Sequence, residues 1–570
     1  MIKNKNSAVL KKSLMDLTSL FHRVIFFGFF TNLLVLAPSW YMLEVYDRVI
    51  FSRNLATLLM LTMMVIFIYL IMESLEWVRR GMMLQAANRL DQALSQPIFN
   101  AAFTAKLGNA GFAAQRVFAD YRSLREMLYS PALLGLIDIP FIVIFLVAIF
   151  FIHSSLGYLT LLGLAVQTII ALLNQMRVQP QLQEANQHAL AAQSYFSNIQ
   201  QHAEVARAMG MQAALETRWQ DKQQAFLDKQ ANASEIAGQH AAYSKFLQIS
   251  LTSLVLGLGC YLVISQTLIN GAAMMIVASI LAARVLAPFS QLIAQWRSIA
   301  NGLQAYDRLN ELLEQHPTKQ AGMALPAPTG ELTVENLSYA LTENAREPLL
   351  RNIQFRLRPG EVLLITGPSA SGKTTLSKLL VGLLQPSTGK VRLNGVDIFQ
   401  WDKAELGPYL GYLPQDIELL DGTITENICR FGTPDHAKLT EVIALLQLQT
   451  WIESLPDGLD THIGHEGYLL SGGRRQLIGL ARALYGKPTI VVLDEPNANL
   501  DEASEQCLQQ AVHMLKSQGT TFIIISHLQG IRHVADSMMV MMKGQVLRYG
   551  KPEEVLVSLQ QAATPQRKQA

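Results

Sequence analysis

Charge is scarce in this 570-residue chain: only 16% of its residues are Asp, Glu, Lys or Arg, whereas 50% are apolar. Its net charge of +2 has none of the basic excess that a protein needs to meet a nucleic-acid backbone. No nucleic-acid partner is expected. Cysteine is also rare. Cys260, Cys429 and Cys507 lie far apart with no CxxC spacing, so neither a disulfide framework nor a zinc site is expected, and the thiols read as unpaired core residues. What the chain does have is apolar sequence, with a mean hydropathy of +0.22. A membrane portion is the first expectation.

Crossing a hydrocarbon layer of about 30 Å takes roughly 20 helical residues. Six runs suit that length: 24–43, 55–72, 133–152, 156–173, 249–265 and 271–289. The first is too long for a signal-peptide core and lacks a small-residue cleavage site, so it reads as a retained span. Ahead of it, Val9, Leu10, Leu14, Leu17 and Phe21 recur at helical spacing among Lys11, Lys12 and Arg23. That pattern predicts an interfacial helix lying on the membrane. Basic residues crowd the N-terminal tail and the segments 73–132 and 174–248, whereas the opposite loops carry only Arg48 and Arg53. By the positive-inside rule both termini and both long segments face the cytoplasm. These segments are rich in Ala, Gln, Leu and Glu, and read as helices that extend the spans below the membrane.

After Ala300 the composition shifts. A polar stretch ending in EQHPTKQAGMALPAPTG reads as a linker, and from Glu331 onward short β-rich runs such as VLLIT, TIVVL and TFIII alternate with helical ones. That alternation predicts an α/β domain with a largely parallel sheet. The expected organisation is a cytoplasmic tail and interfacial helix over 1–23, a six-helix transmembrane domain over 24–305, a linker over 306–328, an ATPase domain over 329–556 and a tail over 557–570.

Chemistry concentrates in two stretches. In GPSASGKTT (Gly367, Pro368, Ser369, Ala370, Ser371, Gly372, Lys373, Thr374, Thr375) the pattern GxxxxGK[ST] follows an apolar strand and precedes a helical run. Glycines let backbone amides wrap a phosphate chain, Lys373 reaches the terminal phosphates, and Thr374 can ligate Mg²⁺. In TIVVLDEP a β-branched run ends in two carboxylates. Asp494 is placed to hold Mg²⁺ through water, and Glu495 to orient and deprotonate an attacking water.

With YLPQD (Gln415), LSGG (Ser471, Gly472, Gly473) and IISHL (His527), these stretches resemble the ATP-binding cassette ATPases. The resemblance covers the whole soluble domain. It implies a P-loop (Walker A) nucleotide-binding domain using ATP and Mg²⁺, in which the signature serine and glycines complete the ATP site of a second cassette. It also gives Gln415 the role of an interface sensor near Mg²⁺, His527 that of a γ-phosphate contact, and Asp501, in NANLD, that of the loop crossing the dimer interface. Tyr339, in ENLSYAL, matches the aromatic that stacks on adenine, although a buried strand tyrosine is the alternative reading. Two positions depart from the family pattern. Arg474 stands where many cassettes have glutamine, and THIGHEG has His465 where exporters often have glutamate, with Glu466 beside it.

Six spans ahead of one cassette make half an exporter, and a composite site needs two cassettes, so a homodimer is expected. LEVYDRVIFSRN (43–54), LIDIPF (136–141) and LARALYGKPTIVVLDEPNANLD (480–501) resemble the type I secretion ATPases, of the sort that export proteases, lipases and haemophores. With about twenty residues ahead of the first span, members lacking an N-terminal peptidase-like domain are the better match. That likeness implies ATP-driven export of unfolded protein across a bacterial inner membrane. The implied partners are a periplasmic membrane-fusion adaptor, an outer-membrane channel and a secreted substrate carrying a C-terminal signal. A homodimeric exporter of lipids or drugs shares the same plan, and a nucleotide-gated channel or regulator is a third reading, against which Lys373, Asp494, Glu495 and His527 all stand intact. Asp138 and Pro140, inside the third span, have two open readings: they shape the translocation path, or the acid sits shallowly and the proline kinks the helix.

Overall fold

The structure is a computed structural model that describes residues 7–108, 114–268, 271–317, 325–340, 347–464, 468–526 and 530–563. The chain forms two compact units, Met1–Lys319 and Gln320–Ala570.

In the first unit, among the described residues, six helices are long and apolar enough to cross a membrane: Val9–Ser52, Leu55–Leu107, Pro131–Ile152, Ser154–Gln201, Gln212–Ile264 and Ala273–Ala294. The six apolar runs of the sequence fall one in each of these helices, to within two residues at the ends. Three of these helices have 48 to 54 residues. At 1.5 Å per residue they are roughly 70–80 Å long, more than twice the hydrocarbon thickness, so they continue well past it.

Two spans are interrupted. The first consists of Thr18–Leu34 and Ala37–Glu44, followed by a π-type turn, Val45–Val49. In the third, Pro131–Asp138 gives way to a 3₁₀ turn, Ile139–Phe141, before Ile142–Ile152 resumes. Pro140 lies in that turn, where its missing N–H cannot serve an α-helical ladder. Polar side chains join the later spans. The Gln167 amide donates to Ser244 Oγ at 2.5 Å and to Ser290 Oγ at 3.3 Å, linking the fourth, fifth and sixth. Beyond the spans, Arg308 donates from Nε and Nη2 to the two oxygens of Asp120, at 2.8 and 2.5 Å, fastening Trp296–Gln315 to Ala114–Leu128.

The N-terminal helix, expected at the membrane interface, packs against helices of its own unit. Leu10, Leu17 and Leu20 are buried in a cluster with Leu90, Leu94, Ile98, Leu124 and Leu309, and Leu14 and Phe21 pack against it. The apolar stripe therefore faces this chain's own helices.

The second unit is built on a six-stranded sheet ordered Gln545–Gly550, Ser537–Met542, Val362–Thr366, Thr521–Ile525, Ile490–Asp494, Leu410–Leu413. All neighbours are parallel except the first pair, which is antiparallel. Its inner strands VLLIT, TFIII and IVVLD are apolar but for one end residue each, because both faces are covered, one by each of two hydrophobic clusters. A four-stranded antiparallel sheet that includes Leu332–Tyr339 and Leu350–Leu357 adjoins one of these clusters. Ile365 pairs with Ile525 and Ile525 with Asp494, so three strands end in register. In a parallel sheet, ligands collect at such carboxyl ends.

Leu10 is 0% exposed, so Leu10→Ala should lower stability by about 2–5 kcal/mol. Thermal unfolding of the purified chain checks this, and the drop should be the same in lipid nanodiscs and in detergent. A loss that disappears in detergent would instead place the stripe against lipid.

Candidate nucleotide site

The loop after Val362–Thr366 turns sharply into the helix Lys373–Leu380. Gly367 and Gly372 adopt φ of +155° and +94°. A Cβ on Gly367 would lie 2.3 Å from the carbonyl oxygen of Met541, and one on Gly372 would lie 2.5 Å from Leu350. Neither position tolerates a side chain. Between them, Pro368, Ser369 and Ala370 are exposed, with Ala370 at φ +63°, while Ser371 is buried with a hydroxyl that has no partner. Lys373 is 7% exposed, and its ammonium donates to the carbonyls of Gly367 (2.7 Å) and Pro368 (3.1 Å), curling the loop round its own charge. Thr374 and Thr375 follow on the first turn of the helix.

Opposite, Asp494 ends its strand with 1% exposure. One oxygen accepts from Ser377 Oγ at 3.1 Å, and the other is buried with no partner. Burial pushes the carboxyl up from its ordinary value, and the neighbouring Thr374 and Ser377 hydroxyls oppose that. An anion in this position calls for a cation, and together with the buried, unpartnered Ser371 hydroxyl of the loop 367–375 the donor set fits a metal–phosphate group.

Glu495, the next residue, stands at φ +51°, an uncommon conformation for a side-chain-bearing residue. Three interactions hold it there. Its N–H donates to Ile525 O at 2.8 Å, while Gln476 Nε2 donates to the carbonyls of Glu495 and Pro496 at 3.2 and 2.7 Å. Its carboxylate accepts from Gln415 Nε2 at 3.2 Å, and Gln415 Oε1 accepts from Thr374 Oγ1 at 3.2 Å. The structure thus links Thr374, Gln415 and Glu495 in one chain of hydrogen bonds beside Asp494.

The signature forms the start of another helix, Gly472–Leu484, with Ser471 as its cap. A Cβ on Gly473 would lie 2.8 Å from Asn499 O, which explains a glycine there. Ser471 is exposed, and among the described residues no hydrogen bond joins 471–473 to the loop 367–375. Arg474, the departure from glutamine, lays its guanidinium over the Trp451 ring at 4.9 Å, a cation–π contact that a glutamine could not make. Asp501 caps Glu502–Ser517, accepting from Ser504 N at 2.9 Å, and those bonds hold its carboxyl below its usual range. Tyr339 ends the strand Leu332–Tyr339, half-buried against the smaller sheet's core. His527, His465 and Glu466 lie outside the described residues.

Two side chains here were not singled out from the sequence. Ser377 lies four residues after Lys373, one helical turn along the same face, and that spacing was a usable signal. Gln476 is 1% exposed in an otherwise apolar stripe, and a buried amide needs partners.

Known proteins place the chain. Residues 350–498 match the ABC transporter family and residues 21–285 the ABC transporter transmembrane region. The type I secretion system ATP-binding protein PrsD of Rhizobium meliloti is 36% identical over 530 residues, covering 92% of this chain and 90% of that protein. The chain belongs to the type I secretion ABC transporters. Another relative is the alpha-hemolysin translocation ATP-binding protein HlyB of Proteus vulgaris, 27% identical over 92% of this chain and 75% of its own length. A bacterial Atm1-family ABC exporter with ATP bound matches in fold with a TM-score of 0.82 at 20% identity, over 97% of this chain and 99% of that one. As an ABC transporter of this family the chain is a multi-pass membrane ATPase that binds nucleotide.

Gln476→Leu keeps the volume and removes the donor, leaving the part-buried Glu495 carbonyl and the buried Pro496 carbonyl unpaired at a cost of about 1–3 kcal/mol. ATP turnover should fall markedly while nucleotide affinity changes little, because Glu495 loses its support and the loop 367–375 does not. Steady-state ATPase and nucleotide titration on one preparation check the split.

Proposed function

We propose that the chain is the ATP-driven pump of a type I secretion system in a bacterial inner membrane, exporting unfolded protein. The observation that carries this reading is the extent of the likeness to PrsD, which runs through membrane unit and cassette alike over 92% of the chain. In this reading 24–305 forms the translocation domain and 329–556 the motor, joined by 306–328 and flanked by the segments 1–23 and 557–570. Both termini face the cytoplasm. A homodimer works with a periplasmic adaptor and an outer-membrane channel, and the cargo presents a C-terminal signal.

The amides of 367–375 and the Lys373 ammonium bind the phosphates, and Tyr339 meets the adenine. Thr374, Gln415 and Asp494 would hold Mg²⁺, a fit supported by the buried, unpartnered oxygen of Asp494. Bound there, Mg²⁺ would neutralise charge developing on the terminal phosphates. Glu495, held by Gln415 and by Gln476, accepts the proton of the attacking water, and His527 contacts the γ-phosphate. Ser471, Gly472, Gly473 and Asp501 serve the nucleotide of the second subunit, which accounts for an exposed Ser471 with no bond to its own loop.

Glu495→Gln is nearly isosteric but accepts no proton, so hydrolysis should stop with ATP binding retained, whereas Lys373→Ala should weaken binding itself. Export is read in cells carrying the adaptor and channel, from a reporter fused ahead of the C-terminal fragment of a secreted protein. The reporter should reach the medium with the unaltered chain and stay inside with Glu495→Gln. If lipophilic compounds changed the ATPase and no protein C-terminus did, the lipid or drug exporter would replace this reading.

A further inference from the structure

A cavity of about 390 Å³ lies in the membrane unit, walled by the first, second, third and sixth spans. Its charges are unevenly matched. Arg79, 1% exposed, donates from Nη1 to Glu76 at 2.8 Å and from Nη2 to Asp138 at 2.6 Å, and its Nε is buried with no partner. Asn32 adds a bond of 3.2 Å to the same Asp138 oxygen. Gly28 makes room, since a Cβ there would lie 3.1 Å from the Arg79 guanidinium. Arg80 also meets Glu76, at 3.4 Å. Two arginines are thus answered by two carboxylates.

Arg284, on the same wall, has no hydrogen-bond or ion-pair partner among the described residues. It lies within the sixth span, Ala273–Ala294, with Pro288 and Gln291 one and two turns along the same face. A guanidinium within a span is costly unless it meets water or an anion. Its planar fork matches a carboxylate with two parallel bonds. Three guanidiniums against two carboxylates leave one positive charge, which suits one singly charged group better than a phosphate. Thr31, Asn32, Tyr129 and Gln291 supply neutral donors and acceptors of the kind a peptide backbone uses. The volume is at the small end of the range for ligand sites and holds a short piece of chain.

We propose that this cavity is a carboxylate-binding site for polypeptide in transit, in which Arg284 takes the Asp, Glu or terminal carboxylate and Glu76 and Asp138 hold Arg79 in the wall behind it. This rests on the export reading above. It also gives Asp138 a role as a fixed counter-charge to Arg79.

The test places a thiol at Ala287, on the cavity wall, in the full chain carrying Cys260→Ser, Cys429→Ala and Cys507→Ser, in phosphatidylcholine nanodiscs. Reaction rates of Ala287→Cys with anionic sulfonatoethyl and cationic trimethylammonioethyl methanethiosulfonate are compared. The anion-to-cation ratio should fall at least fivefold on adding Arg284→Gln and survive Arg284→Lys. An unchanged ratio would overturn the proposal. A ten-residue N-acetylated Leu/Ser peptide with a free C-terminal carboxylate should then slow the reaction, and its C-terminal amide should not. Equal protection by both peptides, or by neither, would overturn the carboxylate assignment, and protection by phosphatidylglycerol alone would give the cavity to lipid. These readouts need no transport, so protection without reporter export would defeat the export reading and leave the site standing.

Discussion

A carboxylate kept out of water is the constraint around which the cassette is arranged. Asp494 ends a fully buried strand with one oxygen bonded to Ser377 and the other unpaired. Such an anion is tolerable where positive charge and fixed dipoles converge. The parallel sheet supplies that convergence. Strands ending in register bring Thr366, Asp494 and Ser526 to one edge, where the loop of Lys373 wraps and its helix begins. Glu495 and Gln415 then extend the same edge, and the strained backbone at Glu495 persists because Gln476 and Ile525 hold it on both sides.

The loop and the paired carboxylates were legible in the sequence because their chemistry permits few alternatives. Gly367 and Gly372 have no space for a side chain, and a β-branched run ending in DE announces both the strand and its acidic end. The spans were legible from length and hydropathy alone. Partners across long sequence separations were not. Nothing local reveals that Gln476 reaches Pro496, that Trp451 supports Arg474, or that Arg79 is the partner of Asp138, 59 residues away. The N-terminal helix illustrates the same limit. A stripe of leucines fixes which face is apolar, whereas its burial against Leu94 and Leu309 depends on folding of helices far along the chain.

Several polar groups among the described residues of the membrane unit lie where another helix answers them. Gln167 finds Ser244 and Ser290, and Asp138 finds Arg79 and Asn32 at the point where Pro140 interrupts its helix. Interrupted helices beside paired charges are tolerated inside a membrane only where protein or a water-filled space satisfies them. The same economy applies to the signature, whose exposed serine and helix-opening amides meet no anion of their own chain among the described residues.

That the nucleotide site is shared between two copies is the central claim, and proximity across the dimer tests it most directly. Ser369→Cys would be placed in one subunit and Ser471→Cys in a differently tagged partner, both also carrying Glu495→Gln and without the native cysteines. A short bis-methanethiosulfonate would then be added. A covalent dimer joining the two tags should form with ATP and Mg²⁺ and vanish without nucleotide. Bridging within a single chain carrying both cysteines, with none between subunits, would contradict the account.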